Sequence, residues 1–411
     1  MSTYQLRKTP FHCLSAFMLL FCAFLFLPGI SAAAWISIHT AANTDCQAVH
    51  FPVDAQTGYV VGHGDIKILK TTDGGQTWTT QGSGITANLL SVYFPIDADT
   101  GYTVGSGGVI LKTTNGGNDW IEQISPTNED LQSVFFPVDA QTGYAVGWEG
   151  TILKTTNGGE TWITQTSGTT AVLMSVHFPV DAQTGYIAGD YSTVLKTVNG
   201  GDAWRDISFN NTSAFEAIQF PVDNFTGYVV GYNPEAYKTT DGGENWTSVF
   251  PPTDKLYAAF HTVCFPIDGQ VGYAAGPGQD VHKTTDGGNT WIWQFAPCWI
   301  IRSIHFPVDA DTGYAVGSDG QILKTTDGGG TFIEEETSNQ IFIESPVQPN
   351  PFTFYTCLIG HKQKRFEIWD ISGRKVGVYL GSRIGSDLAP GIYFISDQDL
   401  FKKPILIVKV R

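Results

Sequence analysis

One phrase recurs seven times along this 411-residue chain, and no other feature restricts the fold so tightly. FPVDAQTGY stands at Phe51, with close copies starting at Phe94, Phe136, Phe178, Phe220, Phe265 and Phe306. The intervals are 43, 42, 42, 42, 45 and 41 residues. A second phrase, KTTDGGQTW at Lys70, follows the first each time, with copies starting at Lys112, Lys154, Lys196, Lys238, Lys283 and Lys324. A period of this length marks one structural unit repeated in space.

Each unit reads as four short strands. In the third copy GYAVG, TILKTT and WITQT are separated by GWEG and NGGE turns. β-Branched and aromatic runs between Gly/Asp/Asn turns predict an antiparallel meander. One such meander cannot bury both faces, whereas seven arranged radially can. The expected fold is all-β: a seven-bladed β-propeller over residues 35–336, with no helical periodicity in competition. Trp35 lies 16 residues before Phe51, the spacing of Trp78 to Phe94 and Trp162 to Phe178. Residues 35–39 therefore read as a fourth strand with no blade before them, and residues 332–336 compete for the same place. The expectation is that the hairpin-linked 332–336 strand keeps the slot and 35–39 pairs outside it.

The second phrase resembles the Asp-box, [ST]-x-D-x-G-x-T-W. Asp73, Asp241, Asp286 and Asp327, with Asn115, Asn157 and Asn199, stand at the acidic position. Trp78, Trp120, Trp162, Trp204, Trp246 and Trp291 close the box, and Phe332 ends the last copy. A carboxylate or amide oxygen can accept N–H bonds across the turn, glycine permits the left-handed backbone, and the ring plugs the space beneath. Groups present in every blade read as turn locks rather than catalysts. Taken together, the units resemble the photosystem II stability/assembly factor-like family of Asp-box propellers over residues 35–336. Sialidases and xyloglucanases share the box but not the whole repeat.

The ends differ from the middle. Arg7 and Lys8, the apolar run 11–30 and Ser31-Ala32-Ala33-Ala34 read as a cleaved signal peptide, residues 1–34; an uncleaved anchor is the alternative. Residues 337–344 form a linker. Residues 345–411 carry ten Lys/Arg and five Asp/Glu, net +5, and Arg7 and Lys8 add +2, so residues 9–344 hold −16 − 5 − 2 = −23. A body this acidic repels phosphate backbones and anionic membranes, which argues against nucleic acid. The tail reads as a small C-terminal β-sandwich. Its Pro349-Asn350-Pro351-Phe352, Trp369-Asp370-Ile371-Ser372-Gly373-Arg374 and Leu388-Ala389-Pro390-Gly391-Ile392-Tyr393 runs, with a basic strand ending at Arg411, resemble the type IX secretion sorting domain. That resemblance implies the secretion machinery as a partner and a secreted or cell-surface location, for a chain read as monomeric. Cys46, Cys264, Cys298 and Cys357 remain after signal removal, and their pairing stays open.

Chemistry finds little purchase. A sialidase needs three converging arginines, and the repeats hold two, Arg205 and Arg302. His50, His177 and His305 share one strand position with Tyr93, Phe135, Gln219 and Cys264, which marks a packing site rather than a metal ring. No zinc, P-loop or nucleophile-elbow motif occurs, so no metal or cofactor is expected. The two Asp-Ala-Asp turns at Asp97 and Asp309 lack the other ligands of a calcium loop.

Successive turns of a meander alternate between the faces of the disc. One face holds the FPVDAQTG and Asp-box turns and barely changes from copy to copy. The other varies. Trp148, Glu149, Asp190, Tyr191, Tyr232, Glu235 and Asp280 sit on its turns, and Tyr257 and Trp299 on its crossings. Rings beside acids on a rigid scaffold predict a non-enzymatic site for a protein or glycan. The alternatives are a glycoside hydrolase using two of these acids, a structural surface component, or aromatics that are ordinary surface.

Overall fold

The computed structural model describes residues 35–330 except 42, 66, 210–212, 233–234 and 251–258, together with six strands of the tail. Seven four-stranded antiparallel sheets form the blades. Blade three is typical: Leu131–Phe135, Gly143–Gly147, Ile152–Thr155 and Ile163–Gln165, paired in that order.

Blade seven is completed from the start of the chain. Ile301–His305, Thr312–Gly317 and Gln321–Thr326 take Ile36–Thr40 as their outer strand, with Ile36 opposite Lys324 and Thr40 opposite Gln321. The expectation that residues 332–336 hold this slot is thereby corrected. The reason is Trp35. It is fully buried, with its ring edge-on to Phe306 at 5.8 Å and 80°. Trp78 meets Phe51 in the same way, at 6.3 Å and 86°. Trp35 thus fills the place of blade seven's missing tryptophan; Phe332 itself lies outside the described residues. The Trp35 Nε1–H donates to Gln294 Oε1 at 3.3 Å, and Gln294 Nε2 donates to the carbonyls of Gly328 and Gly330.

The repeated residues are the inter-blade glue. At all seven interfaces the tyrosine of one blade stacks on the repeat phenylalanine of the next, with centroids 3.7–4.2 Å apart. The tyrosine hydroxyl crosses the interface too: Tyr59 donates to the carbonyls of Ala98 and Gly116 at 2.8 and 3.0 Å. The repeated lysine lies over the same ring in every blade, 5.2–5.9 Å from its centroid. Its position over the ring is a cation–π contact, and Lys70 also donates to the Gly116 carbonyl at 2.6 Å.

The Asp-box acts as a turn lock. Asp73 Oδ1 accepts from the Thr77 N–H at 2.9 Å, and Thr71 Oγ1 accepts from the Gly75 N–H at 2.9 Å. Asn157 takes the same N–H from Thr161 at 3.0 Å, so the amide oxygen suffices. Gly74 and Gly75 turn at φ 70° and 84°, where a side chain would be strained. The hydrogen bonds from Thr77 hold the exposed Asp73 carboxyl down at about 2.

The inner strands line a central channel. Their histidine position is a packing ring, as its tolerance of Phe and Gln predicts. His50 lies against Tyr93 at 4.9 Å and His305 at 4.8 Å, and Phe135 against His177 at 5.1 Å. His177 Nδ1 accepts from the Phe220 N–H of the next blade, and burial pushes its pKa down to about 4.

A second compact unit spans Ile333–Arg411. Its described strands form one sheet in the order Lys375–Leu380, Arg365–Asp370, Gly391–Ser396, Ile405–Lys409, and a two-stranded pair of Thr356–Cys357 with Arg383–Ile384.

Candidate binding face

The variable turns and the blade crossings do meet on one face. The Trp148 N–H donates to the Asp130 carbonyl at 3.0 Å, Asp190 to Val172 at 2.9 Å and Tyr232 to Ala214 at 3.0 Å. The turn tips are therefore held rigidly beside the crossings.

These tips are strained. Among the described residues six non-glycines have positive φ: Asn43, Glu149, Tyr191, Ser192, Gln279 and Asp319. All six sit on this face. Blade two places Gly107 at the corresponding tip, with φ 70°, where Glu149 has φ 52° and Asp319 φ 56°. A left-handed residue with a side chain costs about 1–2 kcal/mol relative to the ordinary helical basin. Such strain persists only where the surroundings enforce it, and it concentrates at functional sites.

Most of the expected aromatics project into solvent. Trp148 is 47 % exposed, Tyr191 81 %, Tyr232 46 % and Trp299 63 %. Trp148, Tyr191 and Tyr232 form an arc over blades three to five, with Glu149 exposed and Asp190 partly buried beside them. Burial raises the Asp190 carboxyl pKa. Trp299 stands apart, on the crossing into blade seven. Its carbonyl accepts the Gly278 N–H at 2.7 Å. Glu235 begins its strand and faces Tyr237 rather than the tips. Asp280 must be removed from the site: it is buried and accepts a hydrogen bond from Trp293 Nε1. Tyr257 lies outside the described residues.

The channel mouth adds residues that the turn comparison missed. Three residues before the histidine position, the seven copies read Gln47, Leu90, Gln132, Met174, Glu216, His261 and Arg302 around the ring. Blades five to seven alone are ionisable there. Glu216 is pushed up to about 7, first by burial and then by Asp190, with Arg302 opposing. His261 is pushed down to about 4 by burial and Arg302. Its Nδ1 lies 3.9 Å from Glu216 Oε2, too far for a hydrogen bond, and its ring meets Tyr232 edge-on at 6.0 Å. With His261 neutral above about pH 4, this contact is not an ion pair at neutral pH. Tyr232 therefore joins the arc to the channel. Lining up the seven copies at this position, as was done at the histidine ring, would have exposed the set.

Arg302 lines the channel, whereas Arg205 pairs with Glu244 on the outer strand of blade four. Among the described residues no convergent arginine cluster forms. Cys46, Cys264 and Cys298 are buried free thiols, and among the described residues no group of three metal-ligating side chains assembles.

Residues 27–125 and 122–214 match the family described as Photosynthesis system II assembly factor YCF48. YCF48 from Cyanidioschyzon merolae is 21 % identical with a TM-score of 0.58, over 71 % of this chain and 98 % of that one. A structure of YCF48 bound to D1 peptide is 19 % identical with a TM-score of 0.60, over 73 % and 99 %. The GH74 xyloglucanase from Xanthomonas campestris is 14 % identical with a TM-score of 0.59, over 72 % of this chain but 54 % of that enzyme. No curated protein matches the chain in sequence. The chain is thus a seven-bladed propeller of Asp-box repeats, similar over residues 27–214 to the YCF48 family, and its fold is shared by YCF48 and by a glycoside hydrolase.

Proposed function

We propose that this propeller is an exported, non-enzymatic binding module whose variable face captures a basic segment of a protein. The observation that carries the reading is the exposed aromatic arc beside carboxylates, with Tyr191 and Glu149 on left-handed backbone. Trp148, Tyr191 and Tyr232 occupy turns where blades two and seven carry Ser106 and Ser318, so the fold alone does not require them. Rings flanked by Glu149, Asp190 and Glu216 suit lysine or arginine side chains, by cation–π contact and charge attraction. The YCF48 structure with a bound D1 peptide supports a peptide over a glycan. The net −23 over residues 9–344 supports a basic one.

The test is titration of lysine-rich and neutral peptides against the full chain and its Trp148→Ala/Tyr191→Ala variant. The double substitution weakens the basic peptide about tenfold or more, since two ring contacts of about 0.5–1.5 kcal/mol each approach one decade in affinity. Equal affinity of parent and variant overturns the reading. Added salt weakens a basic peptide and leaves a neutral glycan unchanged.

The rival reading is a glycoside hydrolase. It rests on Glu216, whose raised carboxyl beside Asp190 has the character of a general acid. Hydrolysis of a neutral polysaccharide that is lost in Glu216→Gln would establish it. For export, we assign the sorting role to the tail. Deleting residues 345–411 is expected to leave the propeller folded but retained inside the cell envelope, and normal surface delivery would refute that role.

A further inference from the structure

Three buried nitrogens at the channel mouth have no hydrogen-bond partner among the described residues. They are Arg302 Nε, Gln47 Nε2 and His63 Nε2. A buried donor without a partner costs about 1–3 kcal/mol, so a native structure rarely leaves several together without a ligand or water to satisfy them.

The fold brings the three side by side. Arg302 is on the inner strand of blade seven and Gln47 on that of blade one. The register between these strands is fixed by Val49 N–H to Ser303 Oγ at 3.4 Å and Phe51 N–H to His305 Nδ1 at 3.3 Å. Those bonds place Arg302 and Gln47 at the same height. His63 stands next to last in the second strand of blade one, opposite Asp45, and its pKa is lowered first by burial and then by the nearby Arg302 charge. Beside it lies an open depression lined by Asn43, Thr44, Asp45, Gly64 and Asp319. Among the described residues no carboxylate comes within ion-pair distance of Arg302. On blade one, Asp45 is already engaged by the Asp319 N–H at 2.9 Å.

We infer that Arg302, Gln47 and His63 form a subsite for a carboxylate at the blade seven–blade one edge of the channel. A guanidinium beside the Gln47 amide N–H, with the His63 ring adding a donor in its Nε2–H tautomer, matches the two oxygens of that group. The subsite uses none of the arc residues, so it stands or falls separately from the basic-peptide reading. A ligand that spans both would carry basic side chains over the arc and an acidic group in the channel.

The position tolerates change, because Leu90 and Met174 occupy it in blades two and four. Arg302→Met and Gln47→Leu therefore use residues that the ring already accommodates. The experiment is an NMR titration of the labelled full chain with acetate, reading the Gln47 side-chain amide and the His63 imidazole. Acetamide serves as the uncharged counterpart. Acetate is expected to give saturable shifts and acetamide none. Arg302→Met should weaken acetate about tenfold or more, given about 1.5–3 kcal/mol for a hydrogen bond to a charged group. Gln47→Leu should weaken it less. Trp148→Ala/Tyr191→Ala should leave it unchanged. Glucuronate and N-acetylglycylglycine then separate a sugar acid from a peptide carboxylate by which binds more tightly. Absence of saturable shifts, equal binding of acetamide, or full binding by Arg302→Met overturns the subsite.

Discussion

The two faces of the disc are built by the same backbone seven times, yet they use side chains in opposite ways. On the Asp-box face every blade repeats one solution: lysine over tyrosine, tyrosine on phenylalanine, aspartate or asparagine across the turn. On the variable face the copies diverge, and among the described residues the non-glycines with left-handed backbone all lie there. The contrast separates stability from function without reference to any relative. Where the repeat is obeyed, a residue serves the ring. Where a blade departs from it at an energetic cost, the departure needs another cause.

The largest test of the ring side is Trp35→Ala. Trp35 joins the first strand to blade seven, so its loss leaves a cavity at a seam closed between distant parts of the chain. We expect a loss of about 3–5 kcal/mol, the range for buried Trp or Phe to Ala, read as a fall in the denaturant midpoint. A loss below about 1 kcal/mol would mean that another strand closes the ring.

The next test compares the faces by pH. Glu216 has its pKa raised, so its contribution to stability is present below the unfolded value of 4.5 and is lost as pH rises to about 7. A shift of this size corresponds to about 3 kcal/mol. Asp73 and Asp241 are depressed to about 2, so their contribution is present above the unfolded 3.8 and is lost as pH falls through about 2. Glu216→Gln should therefore flatten the decline of stability between about pH 4.5 and 7 while leaving the acid limb intact. An unchanged neutral limb would place Glu216 in water rather than in the channel wall.

A third, smaller effect tests one inter-blade bond. The buried Tyr144 hydroxyl donates to the Gly200 carbonyl at 2.8 Å. Tyr144→Phe keeps the ring stack and removes that donor, at an expected cost of about 1–2 kcal/mol in equilibrium unfolding. No change would show that water replaces the bond.

The sequence was legible where the repeat speaks. Period, turn chemistry and the Asp-box yield seven four-stranded blades, and the tolerance of Phe135 and Gln219 at the histidine position identifies a packing ring before any coordinates. The reading failed where one residue has to be weighed against chain order. Hairpin linkage favoured 332–336 for the outer slot, but the deciding term is the burial of Trp35 against Phe306 and Tyr273, a long-range contact. Asp280 was indistinguishable in sequence from an exposed turn acid, because its partner Trp293 lies on the neighbouring strand. Arg302 and Glu216 sit within otherwise apolar or neutral inner strands. Only the channel geometry makes their charge significant.

The smallest expected effect bears most directly on the comparison. Glu149 has φ 52° at a tip where blade two uses Gly107. Its side chain is exposed, so Glu149→Gly removes strain and little packing. Glycine accepts the left-handed backbone freely but also gains freedom in the unfolded chain, by about 0.4–1 kcal/mol. Against a strain of about 1–2 kcal/mol, the net is a gain of about 0.5–1 kcal/mol in stability. The control is Asp73→Gly on the opposite face, which deletes the acceptor for the Thr77 N–H and should lower stability. Opposite signs for the two substitutions, measured in one denaturation series, would show that strain is kept only where the copies diverge. If Glu149→Gly instead destabilises the protein, the side chain serves the turn itself, and the strained tips lose their value as markers of the binding face.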